Sequence, residues 1–200
     1  MMPMDRALQQ WRFRMAKPYV PQGARLLDIG SRDAGLLLEL GDRIGPSVGI
    51  DSMGTGDASL GDHQLLAGYF PARVPDGVFD AATLLAVVEH MSEQDLVGTA
   101  KALSQAVRPG GPIIVSVPSP AVDHILDVLV RLRLAEGMDA ESHHGFDTGT
   151  LVPLWEEHGL RLRTRRSFQL GLNNLFVFEV PPDRPSSQTA ENRPRTASSR

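Results

Sequence analysis

The chain has 200 residues, a formal net charge of −4 and no cysteine. Its 42% hydrophobic and 22% charged residues place it among globular chains about one domain long, not among disordered ones. Without cysteine there are no disulfides, thiolate zinc sites, cysteine nucleophiles or cysteine-held clusters. The acidic balance also gives no sign of a nucleic-acid backbone as partner.

Leu8, Trp11 and Met15 recur at helical spacing and predict an amphipathic leading helix. Short apolar runs follow at Arg25–Ile29, Ser47–Ile50, His63–Ala67, Phe79–Leu85 and Pro112–Val117. They are near-continuously apolar, as strands covered on both faces are. Leu37, Leu40 and Ile44 mark a helix after the first run. Ser92 with Asp95 forms an imperfect capping box, Leu96 to Val107 keep helical period, and Gly110–Gly111 is expected to stop that helix. Val122 to Val130 mark another helix. Thr150 is expected to cap a further one, with Pro153 in its first turn and Gly159 at its end. Leu160–Ser167 and Leu175–Val180, joined through Gln169–Asn174, read as a closing antiparallel pair. Strands alternating with helices predict an α/β domain with a mainly parallel sheet.

The last twenty residues, from Pro181, offer almost no apolar surface, so 1–180 is expected to be one domain and 181–200 a disordered tail. The tail carries four Arg against Asp183 and Glu191, which leaves the body at about −6. No run of 18 apolar residues exists and the first twenty residues lack a signal-peptide block, so a cytoplasmic protein without a membrane span is expected. Eighteen of the 20 basic residues are Arg, a skew expected of a GC-rich, bacterial coding sequence.

The first strand runs into Asp28-Ile29-Gly30-Ser31-Arg32-Asp33-Ala34-Gly35. An acid two residues before a glycine at the carboxyl edge of a strand sits where open α/β sheets hold ligands. Asp51 closes the second strand 21 residues after Gly30, where a carboxylate can accept both hydroxyls of a ribose. The fourth strand ends in Glu89-His90. Arg108-Pro109-Gly110-Gly111, a strand and Pro118 follow.

This ordered set resembles the class I S-adenosylmethionine-dependent methyltransferases, of the small-molecule branch that includes ubiquinone-biosynthesis-type O-methyltransferases. The resemblance spans roughly residues 20–180. It implies a Rossmann-like, seven-stranded sheet in the order 3-2-1-4-5-7-6, the last strand antiparallel, with helices on both faces. It also implies S-adenosyl-L-methionine as cofactor, contacted by Asp28, Gly30, Ser31 and Arg32, by Asp51, Ser52 and Met53, by Tyr69 and Phe70, and by Leu85 and Ala86. The pattern departs at Arg32 and Ala34, where the family prefers glycine, and at Tyr69, where it has an adenine-facing Asp. Phe70 could stack on the adenine. The stretch from Ser52 to Asp62 is too short and glycine-rich for the family's helix.

The implied reaction moves a methyl group to an oxygen or nitrogen of a small molecule, for which an apolar or lipid-linked acceptor is compatible. His90 is the leading candidate for the base, with His143 and His144 on a loop that the family places over the pocket. Glu89 beside a histidine could hold a divalent ion, but no metal set is expected. A nicotinamide enzyme would need Gly-x-Gly-x-x-Gly, which fails at Arg32. The altered glycines keep open a non-catalytic methyltransferase-like module.

Overall fold

The computed structural model of the chain describes residues 3–73, 75–119 and 148–182. The stretch carrying Val122 to Val130, His143 and His144, and the tail from Asp183, lie outside the described residues. Helix α1 covers Pro3–Ala16, α2 Gly35–Leu40, α3 Glu93–Ala106 and α4 Thr148–Glu157. The strands are β1 (Leu26–Ile29), β2 (Val48–Asp51), β3 (Ala58–Leu60), β4 (His63–Ala67), β5 (Ala81–Leu85), β6 (Pro112–Pro118), β7 (Arg161–Phe168) and β8 (Asn173–Glu179).

All eight strands share one sheet in the order β3-β4-β2-β1-β5-β6-β8-β7. The run from β4 to β6 is parallel, with Asp28 of β1 opposite Gly49 of β2 and Thr83 of β5. Strand β8 runs antiparallel to both β6 and β7. The seven-stranded expectation is therefore corrected to eight. The added strand β3 pairs antiparallel with β4 at the edge, within the segment too short for a helix. A polar clasp stands where a helix would pack. Arg73 meets both Asp57 oxygens at 2.7 and 2.6 Å, and Asp57 also accepts the Ala67 N–H at 3.0 Å.

Side chains alternate across the sheet. Leu27, Ile29, Ala82, Leu84, Ile113 and Val115 pack with α3 and α4 on one face. Leu26, Ala81, Ile114, Leu175 and Val177 pack with α1 and α2 on the other. Asp28 follows the parity of Leu26, so its carboxyl lies on the α1–α2 face. Trp155, Phe176 and Phe178 are fully buried. Each such side chain contributes about 1.5–3 kcal/mol of transfer free energy.

The helix ends follow their local chemistry. Both bonds of the Ser92–Asp95 capping box form, so the box is complete. Helix α3 stops at Ala106. Gly110, at φ 76, belongs to a turn closed by the Gly111 N–H on the Arg108 carbonyl at 2.9 Å. Two expectations change. Helix α4 begins at Thr148, so Thr150 lies inside it and Pro153 stands in its interior. Gly159 closes α4 as expected: its N–H reaches the Glu156 carbonyl at 3.1 Å and the Leu160 N–H reaches Trp155 at 3.1 Å, the paired bonds of a left-handed helix end. Helix α1 buries Phe13 and Ala16; of the predicted stripe Met15 packs against that core, whereas Leu8 and Trp11 stay 39% and 44% exposed. No described helix is long and apolar enough to cross a membrane.

Candidate active site

The carboxyl ends of β1 and β5 meet helix α1 at a cavity of about 220 Å³. Asp28, Gly30, Ser31 and Arg32 line it from the β1 loop. Leu85 and Ala86 line it from the end of β5, and Gln9, Arg12 and Phe13 from α1.

The β1 loop is held by backbone bonds. The Ile50 carbonyl accepts from the N–H groups of Gly30 at 2.8 Å and Ser31 at 3.2 Å. Gly30 has φ 76, and a Cβ there would stand 2.4 Å from Val87 Cγ2. Both conformation and space require glycine. Arg32 at φ 46 and Ala34 at φ 58 adopt left-handed conformations without being glycine, each at about 1–2 kcal/mol. Two bonds offset this. The Arg32 N–H donates to Asp51 Oδ2 at 2.8 Å, and the Ala34 N–H donates to the Ser31 carbonyl at 2.7 Å. Asp51 Oδ1 takes the Met53 N–H at 2.7 Å. Each Asp51 oxygen thus holds one backbone N–H and keeps a lone pair for a ligand hydroxyl.

Asp28 is 4% exposed and accepts the Thr83 hydroxyl at 2.7 Å. Burial pushes its carboxyl up to about 7, with the Thr83 bond opposing and the charges of Asp51 and Asp33 adding to the rise. Ala86 sits at φ 60, its N–H held by the Ser116 carbonyl at 3.0 Å and hydroxyl at 3.2 Å. Glu89 lies in the 3₁₀ turn Val88–His90, and its Oε2 is buried with no hydrogen-bond partner among the described residues. Burial pushes this carboxyl up to about 7 as well, against the pull of its backbone bond and of Arg12.

The other expected site residues scatter. Ser52 is exposed and Met53 is 84% exposed beside Asp51. Tyr69 is 41% exposed with its hydroxyl against the Asp95 carboxylate; burial first, then that charge, raises its pKa. Phe70 is 3% exposed inside the core cluster under α3, so its ring offers no free face and the stacking expectation is corrected. His90 is exposed at the end of its turn and lies outside the cavity lining. His143 and His144 lie outside the described residues. Among the described residues no group of three metal-ligating side chains occurs.

Sequence reasoning missed Thr83, Gln9 and Arg12. Thr83 was legible only through register, because it faces Asp28 across a strand pair. Gln9 and Arg12 needed the rotation of α1, which Leu8 and Trp11 mispredict although Met15 packs on the core.

This fold, with its loop, acid and strand ends, defines a class I methyltransferase domain. A family described as "Methyltransferase domain" matches residues 3–165, and the chain belongs to it. That family's methyl donor is S-adenosylmethionine. Among solved structures, the chain is similar to the N-methyltransferase NodS of Bradyrhizobium japonicum in complex with S-adenosyl-L-homocysteine. The identity is 14% and the TM-score 0.63, over 90% of this chain and 88% of that one. It is similar to CalO1, a methyltransferase of calicheamicin biosynthesis in its S-adenosylhomocysteine-bound form, at 18% identity and TM-score 0.63, over 89% of this chain and 55% of that one. It is also similar to an S-adenosylmethionine-dependent methyltransferase of Methanosarcina mazei, at 17% identity and TM-score 0.62, over 84% and 97% of the two chains. No curated protein sequence matches.

Proposed function

We propose that the chain transfers a methyl group from S-adenosylmethionine to an oxygen or nitrogen of a small-molecule acceptor. The observation that carries this reading is the cavity where Asp28, Gly30 and Arg32 face Leu85 and Ala86. Its volume of about 220 Å³ is below the ~300–1,000 Å³ of a full ligand pocket. It suits the methionyl end, and Asp51, at the end of the neighbouring strand, would hold the ribose.

The donor, when bound, supplies an activated sulfonium methyl, so the protein binds, orients and excludes water. Asp28 faces the methionyl ammonium, which favours its ionised form. The Arg32 guanidinium, in the cavity lining, would hold the methionyl carboxylate. The free lone pairs of Asp51 accept the ribose hydroxyls, and Leu85 and Ala86 wall the cofactor from the β5 side. His90 orients the acceptor or takes its proton, with His143 and His144, outside the described residues, as a further source of imidazole. The closing strand pair supports the methyl-donor class as a whole, and the resemblance of Phe79–Met91, with its Glu89-His90, to the ubiquinone-type O-methyltransferase branch puts phenols among the acceptors to be tried. A cytoplasmic location belongs to the same reading.

The test is calorimetry with S-adenosylmethionine, followed by a phenol and amine panel read by release of S-adenosylhomocysteine. Binding with turnover of any acceptor supports the enzyme. No heat and no thermal shift at millimolar cofactor overturn it in favour of the non-catalytic module that Arg32 and Ala34 suggest.

A further inference from the structure

The stripe Leu8–Trp11 on α1 is the part of the sequence pattern that neither the core nor the cofactor cavity absorbs. Phe13 and Ala16 anchor the helix, Gln9 and Arg12 face the cavity, and Leu8 and Trp11 are left 39% and 44% exposed. A third exposed apolar side chain follows directly on a residue bonded to this helix. Leu170, at the tip of the β7–β8 turn, is 98% exposed. The turn is tied to the helix by the Gln169 side-chain amide, which donates to the Leu8 carbonyl at 3.1 Å. Gln169 and Leu170 both hold left-handed backbone, at φ 51 and 57. The tip is therefore a fixed shape that presents a leucine outward.

Charge around this stripe runs against the charge of the chain. Helix α1 and strand β7 carry seven Arg and one acid, Asp5, in a protein of net charge −4. Arg161 and Arg163 pair with Glu179, and Arg165 stacks over Phe176 on the other face. Arg6, Arg14 and Arg166 are exposed and enter no ion pair among the described residues. Arg166 lies opposite Leu175, which packs beneath α1, so it projects on the helix side of the sheet.

Exposed Trp and Leu, with Arg6, Arg14 and Arg166, unpaired among the described residues, on the same helix and strand, match a surface that is apolar below and anionic above. A second copy fits less well, because a two-fold contact would set Arg against Arg. We propose that the outer stripe of α1 and the tip of the β7–β8 turn dock on an anionic lipid surface. Docking would turn the cavity wall made by Gln9 and Arg12 toward the bilayer. Resting on the methyl-transfer reading above, this narrows the acceptor to an apolar, membrane-resident molecule.

The test needs no acceptor. The intact protein is mixed with vesicles of phosphatidylcholine alone or with a share of phosphatidylglycerol, and binding is read by flotation and tryptophan emission. The chain has two tryptophans, and Trp155 is fully buried, so a blue shift reports Trp11. The expected result is flotation and a blue shift with anionic vesicles only, the shift being lost in Trp11→Phe. The pair Arg14→Glu with Arg166→Glu is expected to weaken binding by roughly tenfold or more. Leu170→Asn, whose new residue tolerates left-handed backbone, is expected to weaken it with an unchanged melting temperature. No flotation with anionic vesicles overturns the proposal, as does flotation that these variants leave unchanged. A concentration-dependent dimer that shields Trp11 assigns the patch to a second copy and overturns it too. Calorimetry with S-adenosylmethionine on the same preparation keeps the two readings apart: cofactor heat without flotation removes only the lipid surface.

Discussion

The carboxylate of Asp51 holds the backbone N–H of Arg32 at 2.8 Å, across the gap between the ends of β2 and β1. The acid expected to serve a ribose is thus also the support of a loop that lacks its second glycine. Without that bond, nothing else described fixes the Arg32 amide.

Asp51→Ala is therefore expected to act twice. Losing a charged acceptor removes roughly 1.5–3 kcal/mol from ribose binding, more than tenfold in affinity. Losing the bonds to Arg32 and Met53 also loosens the loop. Hydrogen exchange at these two amides should rise even without ligand. A variant with unchanged affinity and unchanged exchange would remove both roles.

Arg32→Gly separates strain from function. Glycine adopts φ 46 freely, so the unliganded protein should gain about 0.5–1 kcal/mol in stability. Cofactor affinity should nevertheless fall, because the guanidinium is lost from the methionyl carboxylate. Thermal melts and titrations of the two proteins side by side read both quantities. Tighter binding by the glycine variant would make Arg32 an obstruction.

His90→Ala is expected to keep S-adenosylmethionine affinity and to lose about 10²–10⁴-fold in turnover of an acceptor found in the panel. His90→Gln distinguishes the two roles: recovery of rate means orientation, and no recovery means proton transfer. Equal loss of binding and rate would mean that the 3₁₀ turn shapes the cofactor cavity.

Stability should fall as pH rises from about 4 to about 7. Across that window the native state keeps the Asp28 proton, whose pKa rises from 3.8 to about 7, while the unfolded chain has released it. The native state binds more protons there, so the slope is negative. Glu89 has the same sign. Asp28→Asn keeps an acceptor for Thr83 and removes the buried charge. It should stabilise the unliganded protein above pH 7 by an amount on the order of 2–4 kcal/mol, and by little near pH 4. Melting curves across pH test this, and a parallel shift at all pH values would exclude the linkage.

Much of the sheet was readable because parallel strands buried on both faces are apolar runs. His63–Ala67 was located to the residue, and β1, β2 and β6 to within one. The fifth strand begins two residues later than expected, because Phe79 forms only an isolated bridge with Val107. What escaped was tertiary. Strand β3 is three residues long with two of them exposed, so no period marks it. Phe70 looked available because it follows a glycine and an exposed Tyr69, whereas its ring turns into the core. The rotation of α1 misled because two apolar stripes share that helix, and only contact with Leu26 and Leu37 selects Phe13 and Ala16.

The Asp57–Arg73 clasp has a consequence for how the edge responds to salt. At the β3–β4 edge an exposed ion pair and two peptide contacts add to the strand ladders, whereas the β1–β5 side is also locked by fully buried side chains. Dissolved ions weaken the former and spare the latter. Rising ionic strength therefore weakens this one exposed contact at the sheet edge and leaves the packed end of the cavity untouched.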